Sequence, residues 1–231
     1  MKNLFIALFT LMTLPVFAGW SGSVGMYSEY FYRGVSQSNG DSAVQLSAQY
    51  DHWLDDSNGF YGGIWASSVE YVDNEASQEY DFYAGYKIEV DDFRFDMGVL
   101  NYNWDDHFDS VNEAYVRAGY NFIDLSYYKN LEDEGLDYGQ ADIEVGFIPV
   151  VDVFFVYGRY QDGQDFRSIR VSYPFENKVE LGFELISDDL MKSIQYSHCN
   201  GEVVGHCHVV PNKVVGVDWH DRFVLNLSYR F

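Results

Sequence analysis

Apolar and polar residues alternate along most of this chain. Tyr80, Phe82, Ala84, Tyr86, Ile88 and Val90 form one series, and Glu79, Asp81, Tyr83, Gly85, Lys87 and Glu89 fall between them. A period of two over this length is a β-strand with one apolar and one polar face, and helical spacing does not explain it. The same alternation returns at 114–122, 141–147, 179–185 and 223–231. Twelve strands are expected, at 20–33, 43–53, 60–72, 78–90, 93–104, 113–122, 123–130, 137–147, 150–160, 166–173, 178–187 and 222–231.

The connections alternate as well. Odd-numbered strands lead into longer polar segments, at 34–42, 73–77, 105–112, 131–136, 161–165 and 188–221. Even-numbered strands lead mostly into shorter ones: Asp91-Asp92, the Phe122-Ile123 junction, Ile148-Pro149, and the looser 54–59 and 174–177. Short turns at one end and long loops at the other is the layout of an outer-membrane barrel. Alternation alone also fits a soluble sandwich, whose apolar faces meet each other. Strand length favours the membrane, since a tilted strand needs about 9–11 residues to cross a bilayer. So do aromatic residues near strand ends, namely Tyr30, Tyr32, Trp53, Phe60, Tyr61, Trp104 and Trp219, as in an interfacial girdle. The last strand ends at Phe231 and is expected to seal against the first, leaving no edge in lipid. The fold class is therefore all-β: one antiparallel transmembrane barrel of about 12 strands. Ser193-Ile194-Gln195-Tyr196 and Val214-Val215-Gly216-Val217 keep open a count of fourteen.

Composition and charge narrow the setting. Aromatic residues make up 19% of the chain, with 20 Tyr, 18 Phe and 5 Trp, types that fit pleated surfaces. Residues 1–18 read as a cleaved export signal: Lys2 at a charged start, an apolar run from Leu4 to Leu14, and a small residue at Ala18. Residues 19–231 are then the barrel. The formal net charge of −22 argues against nucleic-acid binding, which needs a basic footprint. It is compatible with calcium, with a cation-preferring pore, or with plain solubility.

Particular segments carry a family resemblance. The tail Val224-Leu225-Asn226-Leu227-Ser228-Tyr229-Arg230-Phe231 looks like the C-terminal signal of Gram-negative outer-membrane barrels. It implies recognition of Tyr229 and Phe231 by the barrel assembly machinery. Tyr32-Arg33-Gly34-Val35-Ser36-Gln37-Ser38, followed by Asp41 and Ala43-Val44-Gln45, resembles the hallmark of the TorF porin family. Phe60–Ser67 and Tyr80–Tyr86 resemble that family's next segments. The resemblance covers essentially the mature chain. It implies an outer-membrane channel in contact with lipid, passing small hydrophilic solutes, without catalytic residues or cofactor. The oligomeric state is left open.

The inward set expected from alternation begins with Glu29, Arg33, Gln45 and Gln49. It continues with Glu79, Asp81, Lys87 and Glu89 on one strand, then Arg117, Asp142, Glu144 and Arg170, and closes with Glu180, Glu184 and Arg230. Carboxylates outnumber bases, so an open lumen would prefer cations. If instead the ions bridge the lumen, the barrel is structural and shut. Tyr32 is expected on the apolar face as an interfacial anchor. Arg33 is expected at the lumen mouth, facing Gln45 across the first hairpin.

Three further segments have candidate chemistry. Cys199 and Cys207 in an exported chain are expected to form a disulfide. A site with His198, His206 and His208 is the alternative, although the spacing fits no standard zinc pattern. Asp55-Asp56-Ser57-Asn58-Gly59 is acidic enough for calcium but lacks the spaced-ligand loop, so a solvated turn is expected. A serine hydrolase needs a base within reach of its nucleophile, and nothing ties His52 or His107 to one. The chain is therefore read as a non-enzyme, with a surface adhesive role as a third class.

Overall fold

A computed structural model describes residues 19–71, 76–105, 109–133, 135–146, 150–188 and 222–231. The strands are β1 (Trp20–Tyr27), β2 (Phe31–Tyr32), β3 (Val35–Ser36), β4 (Ala43–Trp53), β5 (Asn58–Ser68), β6 (Gln78–Val90) and β7 (Phe93–Trp104). They continue as β8 (Val111–Tyr120), β9 (Ile123–Asn130), β10 (Tyr138–Glu144), β11 (Asp152–Tyr160), β12 (Asp165–Pro174), β13 (Val179–Asp188) and β14 (Arg222–Arg230). Twelve of them close into one antiparallel barrel, in which each strand pairs with its neighbour in sequence and β14 pairs with β1. The remaining two, β2 and β3, form a separate hairpin. The expected fold class and the count of twelve are both met.

Closure follows from the backbone. In lipid, an unpaired strand edge leaves N–H and C=O groups without partners, and only a closed ladder removes the edge. The seal continues to the last residue, with Phe231 N–H donating to Gly22 O at 3.0 Å and Gly22 N–H to Phe231 O at 3.2 Å. Period-two alternation then assigns the faces. Leu46, Ile64, Phe82, Val99, Leu125, Phe155, Phe183 and Leu225 all point outward and stay exposed. A belt of this extent around a soluble monomer would be far larger than the apolar patches such proteins show. Lipid is the solvent that suits it.

Short turns lie at one end. Asp91-Asp92 and Asn121-Phe122 turn within two residues, and Asp91 and Asn121 adopt the left-handed backbone (φ 49° each) that such turns require. Ser57 and Asn58 hydrogen-bond the Asp55 carboxylate. These bonds, led by the Ser57 N–H, hold Asp55 below the ordinary carboxylate range. That carboxylate is occupied in shaping the 54–57 turn, and no group of three or more metal-type side chains occurs among the described residues.

One expected boundary is overturned. The first strand does not run to Arg33: β1 ends at Tyr27, where Ser28 is pinned to β14 by Ser28 N–H to Leu225 O (2.8 Å) and Leu225 N–H to Ser28 Oγ (2.9 Å). The chain then folds into the barrel. Residues 1–18, the two pieces at 193–196 and 214–217, Cys199, Cys207, His107 and Trp219 lie outside the described residues.

Candidate functional site: the lumen and its inserted hairpin

The lumen divides into two halves. Toward the short turns, opposite charges face each other from strands one or two places apart in the barrel. Lys87 pairs with Asp51 at 2.7 Å, Arg94 with Asp124 at 2.9 Å, Arg117 with Asp96 at 3.7 Å, Arg170 with Glu184 at 3.6 Å and Arg230 with Glu180 at 2.7 Å. The Arg117, Arg170 and Arg230 side chains are 48%, 43% and 68% exposed. These groups stand in accessible space, not in a packed core. Gln49 donates to Asp51 and Gln140 to Asp142. Glu89 and Glu144 are exposed near the turns, and Gln45 lies between Gly25 and Ser67.

Toward the long loops the lumen is filled. Inward positions on β10 to β14 carry Tyr138, Val156, Phe166, Ile186 and Val224, all buried, and Phe31 and Val35 of the hairpin pack on them. On the opposite wall Tyr30, Ala43 and Val69 are buried together, with Tyr32, Trp65, Tyr71 and Trp104 against them. The segment 28–42 therefore spans the barrel from one wall to the other.

Each residue of this segment has a physical task. Arg33 and Gly34 form a two-residue turn with Tyr32 opposite Val35. Their φ angles, 51° and 84°, are those of the primed turns that join two-residue hairpins. Gly34 is required twice over: by its φ, and because a Cβ would stand 2.6 Å from Phe166. Ser36 Oγ donates to Glu29 Oε1 (2.6 Å). Gln37 accepts from the Tyr71 hydroxyl (3.0 Å), and its carbonyl accepts from Glu70 N–H (2.9 Å). Ser38 Oγ accepts from Tyr30 N–H (2.9 Å) and donates to Asp41 O (2.6 Å).

The turn places Arg33 on the far wall. Its guanidinium donates from Nη1 to Glu113 Oε1 at 2.8 Å and from Nη2 to Glu113 Oε2 at 2.7 Å. Its carbon lies 4.7, 4.2 and 4.4 Å from the ring centres of Tyr32, Tyr128 and Tyr138. The Tyr102 hydroxyl donates to Glu113 Oε2 at 2.8 Å and also contacts the Tyr32 hydroxyl. The Arg33 and Glu113 side chains are only 7% and 4% exposed. A buried, bidentate pair of this kind is sensitive to loss of either partner, because the other charge is then stranded.

Two expectations about this stretch are corrected. Tyr32 is not an interfacial anchor on the lipid face; it lies inside, against Tyr102. Arg33 does not face Gln45: Gly25 lies opposite Gln45, the chain leaves the wall only after Tyr27, and Arg33 pairs with Glu113 instead. Tyr30, Trp104 and Tyr61 also leave the expected girdle, Tyr61 donating to Asp96 at 2.5 Å. Sequence reasoning missed Glu113, Tyr128, Tyr138 and Tyr102. The available signal was apolar residues at inward positions, Val156, Phe166, Ile186 and Val224, which form a wall that needs covering.

Two buried carboxyl groups lie in the filled half. Glu79 and Asp81 are 3% and 8% exposed, and Glu79 Oε2 and Asp81 Oδ1 have no hydrogen-bond partner among the described residues. Register places Glu79 between Ser67 and Trp104, and Asp81 between Trp65 and Tyr102.

A closed twelve-stranded barrel with an apolar belt and a charged interior is an outer-membrane type of fold, and comparisons agree. The chain resembles the KdgM porin (9% identity, TM-score 0.53, 91% of this chain and 99% of that one). It resembles an outer membrane channel from Pseudomonas putida F1 (14% identity, TM-score 0.52, 94% and 96%). It also resembles outer membrane phospholipase A from Escherichia coli (10% identity, TM-score 0.53, 96% and 96%). At these identities the likeness is one of fold. No curated protein matches the chain. The chain belongs to the Gcw_chp family, described as bacterial protein of unknown function, whose model matches residues 17–177.

Proposed function

We propose that this chain is an outer-membrane channel for small hydrophilic solutes, narrowed at its outer end by the 28–42 hairpin and preferring cations. The observation that carries the reading is the exposed, charged half of the lumen. Five bases stand there beside acidic partners, in a space a structural barrel would fill with packed side chains. Channel-type barrels of the same fold add support. The cation preference rests on location: most inner-half charges are paired, whereas Glu79 and Asp81 have no basic partner among the described residues and lie at the constriction, where an entering cation favours their charged form. Residues 1–18 supply export. Tyr229 and Phe231, on the strand that seals the barrel, supply the assembly signal.

The filled outer half favours a second reading, a structural barrel that does not conduct. Planar-bilayer recording of pure refolded protein separates the two. Discrete conductance steps, with reversal potentials on the cation side of a salt gradient, are expected. Absence of steps, even after the hairpin is cut out, would overturn the channel reading, and reversal on the anion side would overturn the cation preference. Assays on phospholipid and on peptide are expected to show no turnover.

A further inference from the structure

Arg33 occupies a setting with the parts of a cation-recognition site. One carboxylate, Glu113, accepts both arms of the guanidinium at 2.8 and 2.7 Å. Two rings of the barrel wall, Tyr128 and Tyr138, stand 4.2 and 4.4 Å from its carbon. A carboxylate fork with aromatic faces is how proteins select a planar guanidinium over a compact, strongly hydrated cation. The wall residues belong to β7 to β10, while the occupant arrives on a two-residue turn.

The wall is also held in place without its occupant. Tyr102 donates to Glu113 at 2.8 Å, Arg117 Nε donates to the Tyr128 hydroxyl at 3.1 Å, and Tyr138 donates to Gln140 at 2.5 Å. A site whose groups are fixed beforehand binds without the cost of ordering them. Arg33 itself adopts a left-handed backbone (φ 51°) that is uncommon for a residue with a side chain.

We propose that Glu113, Tyr102, Tyr128 and Tyr138 form a binding site for guanidinium-bearing solutes, and that Arg33 is an internal occupant which such a solute displaces. A hard metal ion is a poor alternative, since it needs six or more oxygens and no group of three metal-type side chains occurs among the described residues. A quaternary ammonium has no N–H to give Glu113. Asp81 lies directly across β6 and β7 from Tyr102. With Glu79 it supplies carboxyl oxygens that have no hydrogen-bond partner among the described residues, so a solute with a second N–H-bearing group finds further acceptors. Displacement as an opening step rests on the channel reading; occupancy of the site does not.

The test uses the full chain in detergent, with Arg33→Ala and with Arg33→Ala combined with Glu113→Gln. Methylguanidinium chloride at low millimolar concentration is titrated while thermal unfolding and tyrosine fluorescence are followed. Saturable binding to R33A is expected, at least tenfold weaker in the wild type, where Arg33 competes, and lost with Gln at 113. No saturable binding to R33A, equal binding with Gln at 113, or equal binding of tetramethylammonium would overturn the site. If R33A fails to fold, R33K replaces it, and methylguanidinium must then bind that chain more tightly than the wild type or the site is excluded. Bilayer conductance of the same variant in KCl reads the channel separately. A chain that binds but passes no current keeps the site and loses the channel; one that conducts without binding does the reverse.

Discussion

The two halves of one lumen solve the problem of inward charge differently. In the inner half, Arg230–Glu180 and Arg117–Asp96 lie in accessible space, where water screens them and each pair contributes little to stability. In the outer half, Arg33–Glu113 is buried among tyrosines and fixes the path of a whole segment. Both halves use arginine and carboxylate on a barrel wall. What differs is whether chain or solvent fills the space between the walls, and that decides whether a charge tunes permeation or sets a structure.

The strongest way to break the comparison is to strand the buried charge. Glu113→Ala leaves Arg33 without its counter-charge, and losing one partner of a buried pair costs about 3–5 kcal/mol. The hairpin is expected to leave the lumen, raising conductance and exposing the Arg33–Gly34 bond to trypsin. A protected bond and unchanged current would show that apolar packing alone seats the segment.

Next comes the turn. Gly34→Val puts a branched side chain at φ 84°, where the left-handed backbone costs roughly 1–2 kcal/mol, and against Phe166, where overpacking costs about 1–3 kcal/mol. Partial opening is expected, visible as slower trypsin cleavage than in E113A. Cleavage as slow as in the wild type would mean that the turn is not under strain in the seated state.

The inner half supplies the contrast. Arg230→Ala removes a largely exposed base, so a stability change under about 1 kcal/mol is expected, with the hairpin still protected. Freed of its partner, Glu180 should shift the reversal potential slightly toward cations. A large loss of stability here would erase the distinction between the halves.

The smallest expected effect is on pH. Glu70 and Asp41 share a hydrogen bond beside the hairpin, and this bond raises Glu70 above the ordinary carboxylate range. Because the folded value is the higher one, the contact stabilises fully below the ordinary value, about 4.3, and is lost as pH rises through the raised one. Mild acid should therefore tighten the hairpin and lower conductance. Replacing Asp41 with Asn and Glu70 with Gln should remove that dependence in a bilayer titration, and its persistence would place the titrating group elsewhere.

The sequence was legible where one rule acted on many residues. From Glu79 to Val90 every second side chain meets lipid, so alternation reveals both strand and face. It misleads at Tyr30 and Tyr32, because the alternation runs on past the end of β1 at Tyr27 while the chain has already left the wall. Arg33-Gly34 hides its turn, since Asn or Asp usually precedes the glycine there. Val156, Ile186 and Val224 were visible at inward positions, but nothing local says what covers them.

The sequence by itself determined a barrel with an apolar exterior and a charged interior, because a closed sheet in lipid leaves one solvent for each face and a period of two records both. Only the tertiary structure decided that FYRGVSQS folds inward and that Arg33 meets a carboxylate 80 residues away. Pairing across a lumen depends on which strands face each other after closure, and no local pattern carries that distance.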